Sequence, residues 1–500
     1  VDIYDMALVL AGNDKTRARR LQRLAGAGRL RRLYAGVYAD DLVQPLESIA
    51  RRELLALCAI VAPRSVISHR SALDGGRPTG AGEVFLTGAN RRDLEIQGVK
   101  LRIVEGPGPL DSDIRIPTFA GDAFISSQAR ALLENLTSSR GDPARRRTLG
   151  TAGVQDWLAR FISRDISGGT NQIRDAARSI ARPLGLEPEF LQLDRIIGAL
   201  LGTQKAHLTS PAARARAAGK PYDAARVTLF QALAAELQTN HLHVPLADPK
   251  LESNLQAFIE TYFSNYIEGT EFELEEAHDI VTQGRPIKYR EDDSHDILGT
   301  YRAILESKAE PKIPQSFDDF ATQLQRWNRE VIESRLSKGP GELKTENNRA
   351  GNTVFVAPNL IVGTLEKGYE SIMSAATAAN RAALAMFVVA EVHPFADGNG
   401  RTARLAMNLF LTAAGLTRII IPTVYRDDYI SALKAMSNNS LPVPLVRMLG
   451  RAARFSRWVN MTSKANAFGD LRRSNALGRP ESEGLSFDDS VPADLTMQGE

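Results

Sequence analysis

The sequence predicts a multidomain, mainly α-helical protein. An all-α core carrying one β-hairpin is preceded by a small helix-and-hairpin unit and a small α/β region. Three observations predict this. The 500 residues exceed what one hydrophobic core usually holds and point to about three or four domains. Short strand-like runs separated by Gly and Pro are concentrated in the first third of the chain. From residue 250 onward apolar residues recur at helical spacing, with one exception. Composition narrows the class further. No window approaches the roughly 18 uninterrupted apolar residues of a membrane span, and the chain opens on an acidic-hydrophobic segment, so a cytoplasmic protein with no membrane partner is expected. Cys58 is the single cysteine, which excludes a disulfide framework or thiolate metal cluster within one chain, and the seven histidines are scattered.

The first unit, residues 1–45, reads as a helix over 3–11, a turn at Gly12-Asn13-Asp14, and a second helix capped by Asp14 and closed near Gly26. The stretch GRLRRLYAGVYAD (28–40) then alternates apolar and polar residues around Gly36, as a strand, turn and strand would. Helices followed by a small basic hairpin suggest a winged helix. Net charge is only +3, yet Lys15, Arg17, Arg19, Arg20, Arg23, Arg29, Arg31 and Arg32 follow one another without an acid. Such a run would neutralise DNA phosphates.

Residues 46–150 predict a separate α/β unit, with one helix over 47–61 and strands such as EVFLTG and VKLRIVEG. His69 there is expected to pack or cap. A helical connector is expected over 151–249 and the all-α core over 250–462. Core helices are read at 251–267, 316–337, 367–389, 401–414 and 426–436. The exception is GNTVFVAP (351–358), whose β-branched and aromatic residues look like one arm of a hairpin. Residues 463–500, rich in Ser, Gly, Pro and acid, predict a disordered tail.

The chemistry concentrates in EVHPFADGNGRTAR, residues 391–404. Gly398, Asn399 and Gly400 stand just before a helix, where turned amides and the helix start attract an anion. Arg401 and Arg404, three apart, can hold successive phosphates. Asp397 in such a positive cradle calls for a divalent cation between it and the phosphates, a role that suits Mg²⁺. His393 alone nearby has a proton affinity suited to base catalysis near neutral pH. A Gly-Asn-Gly turn alone is common, but here acid, base, anion nest and two arginines coincide.

The stretch resembles the Fic-domain motif H-x-F-x-[D/E]-G-N-G-R-x-x-R at every position. The resemblance implies an all-helical Fic core that transfers a nucleotidyl group, usually AMP from ATP, to a Ser, Thr or Tyr hydroxyl of a target protein. It implies His393 as general base, Phe395 as buried anchor, and Asp397 as ligand to Mg²⁺ or Mn²⁺. Gly398, Asn399 and Gly400 would form the anion hole, with Arg401 and Arg404 on the β- and γ-phosphates. The hairpin near 344–356 would be a flap holding the target by strand addition.

Upstream, TYFSNYIEGTEFE contains Ser264, Glu268 and Gly269, similar to the Fic inhibitory pattern [S/T]-x-x-x-E-[G/N]. The resemblance implies that Glu268 pairs with Arg404 in place of the γ-phosphate. The N-terminal basic segment, with SVISHRSALD after it, is similar to AbiEi-type antitoxin regulators. Expected partners are therefore ATP, a target protein that could be the chain itself, double-stranded DNA, and a second copy in a homodimer. A second reading keeps a DNA-binding regulator or antitoxin whose Fic unit binds nucleotide or acts mainly to remove AMP.

Overall fold

The computed structural model describes residues 8–488 except 13, 141, 143, 144, 165–167, 352 and 482. The chain divides into two compact units, Val1–Gly219 and Lys220–Glu500. The boundary falls inside the expected connector, because residues 224–239 form a helix whose Leu229, Phe230, Leu233 and Leu237 are buried in the second core.

In the first unit, β1 (Leu8–Leu10), α1 (Lys15–Gly26), β2 (Arg31–Tyr34) and β3 (Val37–Ala39) form a helix beside a three-stranded sheet of order β1-β3-β2. The helix expected over 3–11 is corrected. Leu8, Val9 and Leu10 pair antiparallel with Ala39, Tyr38 and Val37, satisfying backbone groups that would otherwise form a bare edge. Residues 1–7 lie outside the described residues. Asp14 caps α1 through the amides of Thr16 and Arg17 at 2.8 and 3.2 Å. The helix pair that a winged helix needs is thus absent ahead of the hairpin among the described residues.

The helix expected over 47–61 is two, α2 (Leu46–Arg52) and α3 (Leu54–Val61), because Glu53 leaves helical geometry between them. There follow β4 (Val66–Ile67), α4 (His69–Leu73), β5 (Glu83–Gly88), β6 (Arg92–Ile96), β7 (Val99–Glu105), β8 (Ile114–Thr118) and β9 (Gly121–Ile125). These strands make a mixed sheet of order β6-β7-β5-β4-β9-β8. Helices α5 (Gln128–Leu136), α6 (Gly150–Arg164), α7 (Gly169–Leu184), α8 (Glu187–Leu200) and α9 (Pro211–Ala217) bury a separate core around Leu132, Leu158, Ala177 and Leu193. Fully buried Arg130 bridges Asp113 and Glu134 at 2.6 and 2.8 Å. His69 is buried against them, its amide donating to Glu134 Oε2 at 3.0 Å.

The second unit comprises α10 (Ala224–Thr239), α11 (Ser253–Ile267), α12 (Leu274–Gln283), α13 (Glu291–Ala309), α14 (Phe317–Val331), β10 (Arg349–Ala350), β11 (Thr353–Val354), α15 (Ile361–Ser374), α16 (Ala378–Val392), α17 (Asn399–Ala413), α18 (Arg426–Asn439), α19 (Val443–Trp458) and α20 (Lys464–Arg473). Helices α16 and α17 form the centre and are buried on nearly every face, with the polar groups of α17 such as Asn399, Arg401, Arg404 and Asn408 buried against partners.

Three expectations change here. The helix read over 367–389 is α15 and α16, separated where Thr377 caps α16 by accepting from the Asn380 amide at 3.1 Å. The helix read over 316–337 stops at Val331; its start is a capping box between Ser316 and Asp319. The described residues of 463–488 pack as structure rather than forming a disordered tail, since Ala467, Phe468, Leu471 and Leu485 are buried against the core; residues 482 and 489–500 lie outside the described residues. The β10–β11 hairpin pairs Arg349 with Val354 and Ala350 with Thr353. No helix among the described residues is long and apolar enough to cross a membrane.

Candidate active site

The site is the turn between α16 and α17. His393 ends α16 in the left-handed region at φ 52°, an uncommon state for a non-glycine residue, and Gly398 opens α17 at φ 76°. Between them the chain is tied down by Asn399. Its Oδ1 accepts from the Phe395 amide and its Nδ2 donates to the Phe395 carbonyl, both at 2.9 Å. The Asn399 side chain is therefore committed to the loop, and only its backbone can serve an anion. Phe395 is buried. Asn328, from α14, donates to the Asp397 carbonyl at 2.8 Å and accepts from the Gly341 amide at 2.9 Å, fixing the turn from below.

Arg404 projects from the second turn of α17 toward the end of α11. Its Nε donates to Ser264 Oγ at 2.9 Å and its Nη2 to the Ser264 carbonyl at 2.8 Å. The same Nη2 lies 2.8 Å from Glu268 Oε1. Nη1 is buried without a hydrogen-bond partner, a donor still available to a ligand. Burial raises the Glu268 carboxyl, but the charges of Arg404 and Arg401 outweigh it and hold the group below its ordinary range. A Cβ at 400 would displace the Glu268 carboxylate, whose Cδ lies 2.9 Å from where it would stand. Gly269 follows at φ 93°, turning the chain away. The carboxylate thus packs against Gly400 at the start of α17, beside Arg404.

Arg401 is placed differently from its neighbour. It is 2% exposed, pairs with Asp296 at 2.8 Å, and donates to Asn265 Oδ1 at 3.1 Å. Asp296, equally buried, also binds Arg335 at 2.7 Å. Arg401 is therefore anchored inside the unit, adding fixed positive charge close to the turn. Asp397 keeps a side chain 35% exposed, with Oδ1 accepting from the Gly398 amide at 2.6 Å. No group of three or more His, Cys, Asp or Glu able to hold a metal occurs among the described residues. One carboxylate of this kind fits Mg²⁺, or Mn²⁺, where phosphates and water supply the remaining oxygens.

His393 Nδ1 faces the Ala390 carbonyl at 3.3 Å, which favours the tautomer with Nε2 free to accept a proton. Burial pushes its pKa down to about 4, opposed by that carbonyl and reinforced by the charge of Lys344. The Phe355 ring lies parallel to the imidazole. The structure therefore brings together His393, Asp397, Gly398, Asn399, Gly400, Arg401, Arg404, Ser264, Glu268 and Gly269. Sequence reasoning missed Asn265, Asp296, Asn328, Lys344 and Phe355; only Phe355 had a signal, as the aromatic of the hairpin arm.

The basic residues of the first unit are exposed along α1 and its flanks: Lys15, Arg17, Arg19, Arg20, Arg23, Arg29 and Arg32. Arg31 departs from this set, since its guanidinium donates to the carbonyls of Asp41, at 3.0 Å, and Gln44. It fastens the hairpin instead of presenting a free cation.

Residues 317–411 match the Fic/DOC family. Protein adenylyltransferase fic-1 of Caenorhabditis briggsae is 29% identical over 205 residues, 39% of each chain. Protein adenylyltransferase Fic of Drosophila yakuba is 30% identical over 197 residues, 38% of this chain and 39% of its own. The chain thus spans about two fifths of the length of these relatives. Among solved structures, a Fic domain-containing signaling protein from Bacteroides thetaiotaomicron aligns with a TM-score of 0.36 at 18% identity, over 49% of this chain and 97% of that one. Fic-1 of C. elegans aligns with the same TM-score at 19% identity, over 64% and 98%. Residues 317–411 carry a Fic domain, homologous to the protein adenylyltransferases of nematodes and flies.

Proposed function

We propose that the chain transfers AMP from ATP to a Ser, Thr or Tyr hydroxyl of a protein, and that Glu268 holds this activity in check. The observation that carries the reading is the Glu268 carboxylate packed against Gly400 at the start of α17 and paired with Arg404 at 2.8 Å. A site built to receive negative charge is being filled by the chain's own.

The residues divide the work as follows. Nε2 of His393 takes the hydroxyl proton while the oxygen attacks the α-phosphorus; the new P–O bond forms as the bond to pyrophosphate breaks. The free Nη1 of Arg404 and the amides at 398–400 meet the phosphate oxygens, and Arg401, locked by Asp296, supplies fixed positive charge. Mg²⁺ bound at Asp397 would neutralise phosphate charge. A base with its pKa near 4 is weak, but the negative charge of a bound nucleotide would raise it toward working pH. Fic relatives named protein adenylyltransferase support the reaction class.

The test is label transfer from ATP labelled at the α-phosphate, with Mg²⁺, in the full chain carrying Glu268→Gly. Adding His393→Ala should abolish transfer while nucleotide binding persists. Undiminished labelling without the imidazole would remove His393 from its assigned role.

We also infer that α1 tethers the chain to duplex DNA, supported by seven exposed cations without an intervening acid. Binding of duplex by residues 1–219 at low salt, lost steeply as salt rises, is the expected result; no binding at low salt overturns it.

A further inference from the structure

We propose that Phe355 is a positioning residue for His393: stacked face to face on the imidazole, it fixes the plane in which Nε2 meets the target hydroxyl and keeps water off that face. The proposal rests on the transfer reading above. The two rings are parallel within 7°, with centroids 3.8 Å apart. At this separation the faces of the two rings are in van der Waals contact.

The rest of the flap explains how Phe355 reaches that place. The Lys344 amide donates to the Pro394 carbonyl at 2.9 Å, and Leu343 bridges to Phe395 as a strand pair would. Asn348 Nδ2 donates to the Phe395 carbonyl at 3.2 Å, and the Phe355 amide donates to the Asn348 carbonyl at 3.2 Å. Asn399 holds Phe395 from the other side. Both arms of the flap are thereby registered to the catalytic loop, and the stack closes the circuit at His393.

The imidazole needs such a hold. Among the described residues its other tether is the 3.3 Å contact from Nδ1 to the Ala390 carbonyl, on a residue already in the left-handed region. One long hydrogen bond at one ring nitrogen leaves the ring free to swing about it; a parallel ring removes that freedom. The charged groups facing His393 are Lys344, Glu268 and Asp397. Lys344 is buried, with Nζ 5.9 Å from the Phe355 centroid and bonded to Asn348 Oδ1. A cation behind the stack and an apolar ring against the imidazole both favour its neutral, proton-accepting form.

The experiment uses the full chain, with and without Glu268→Gly, and compares Phe355→Ala with Phe355→Tyr. Phe355→Ala should lower kcat about tenfold or more with KM for ATP nearly unchanged, since a misplacement of about 1 Å can cost about 10²-fold. Phe355→Tyr keeps the ring and should restore the rate. Independently of activity, NMR of the His393 ring protons should lose their ring-current shift in Phe355→Ala and titrate closer to an ordinary histidine, while Phe355→Tyr behaves as the native chain. Equal thermal midpoints separate this from loss of fold. Unchanged ring resonances in Phe355→Ala, or Phe355→Tyr as impaired as Phe355→Ala, overturns the proposal. Absence of transfer in every chain, with the NMR shift as expected, overturns the transfer reading and leaves the positioning role standing.

Discussion

Replacing Glu268 with glycine removes one carboxylate and tests the central electrostatic argument. The pair it forms with Arg404 is charge-assisted, at 2.8 Å, with side-chain exposures of 31% for Glu268 and 5% for Arg404. A hydrogen bond between charged groups is worth about 1.5–3 kcal/mol, and the exposure of Glu268 places this one toward the lower part of that range. At about 1.4 kcal/mol per tenfold, releasing it should raise the rate of label incorporation by about 10- to 30-fold. Arg404 keeps both bonds to Ser264 in the variant, so the guanidinium stays where a phosphate would meet it. Glu268→Gln, which keeps the shape and loses the charge, should fall between. Arg404→Ala should give no gain, because the brake and a phosphate ligand vanish together.

The pH dependence follows in sign. The Glu268 carboxyl is held below its ordinary range, so the pair is intact above that range and is lost only as pH falls through the lowered value. The ratio of variant to native rate should therefore stay flat through neutral pH. Rates are read from α-labelled ATP under identical Mg²⁺. Equal rates for native chain and Glu268→Gly refute the reasoning and leave residues 264–269 a helix end.

Asp296→Ala leaves buried Arg401 with only the longer 3.9 Å carboxylate contact, to Asp397, among the described residues, and should lower stability by about 3 kcal/mol, read as a shifted denaturation midpoint; Asp296→Asn should lose less, because its amide oxygen can still accept from Arg401. In the first unit, replacing Arg19, Arg20 and Arg23 together should weaken duplex binding uniformly across sequences and flatten the log–log salt slope by about 0.9 for each phosphate that is no longer neutralised. Arg31→Ala should instead lower stability with the slope retained, since that guanidinium already serves the Asp41 and Gln44 carbonyls. Burial pushes the Cys58 thiol up to about 12, so a thiol reagent should label it only on unfolding; rapid labelling of the native chain contradicts this.

How much was legible in the sequence depends on how local each constraint is. The turn from His393 to Arg404 carries its own geometry, with glycines where amides must converge and a helix start beside them, so it could be read without tertiary knowledge. Asp296 and Asn265 reach Arg401 from α13 and α11, and nothing in their own segments distinguishes them from any polar residue of a helix. Leu8–Leu10 misled because a short apolar run fits a strand or a helix equally, and only the partner Val37–Ala39 decides. The break before α16 sits among alanines, where helix propensity is high and Thr377 is the sole stop signal. The ordered C-terminal segment was hidden by averaging: its overall polarity masks Ala467, Phe468 and Leu471, which share one buried helix face.

Arg226 sits near the start of α10, far in sequence from the motif, yet its guanidinium bonds both Glu391, two residues before His393, and the Val354 carbonyl of the flap. Phe230 and Leu233 of the same helix are fully buried in the core. A recombinant enzyme trimmed to residues 317–411, where family similarity is read, would discard this helix together with the one bearing Glu268. The compact unit that holds the motif begins at Lys220, so an excision at the edge of the recognisable motif would strip buried partners from its core, whereas a cut at Gly219 would leave them in place.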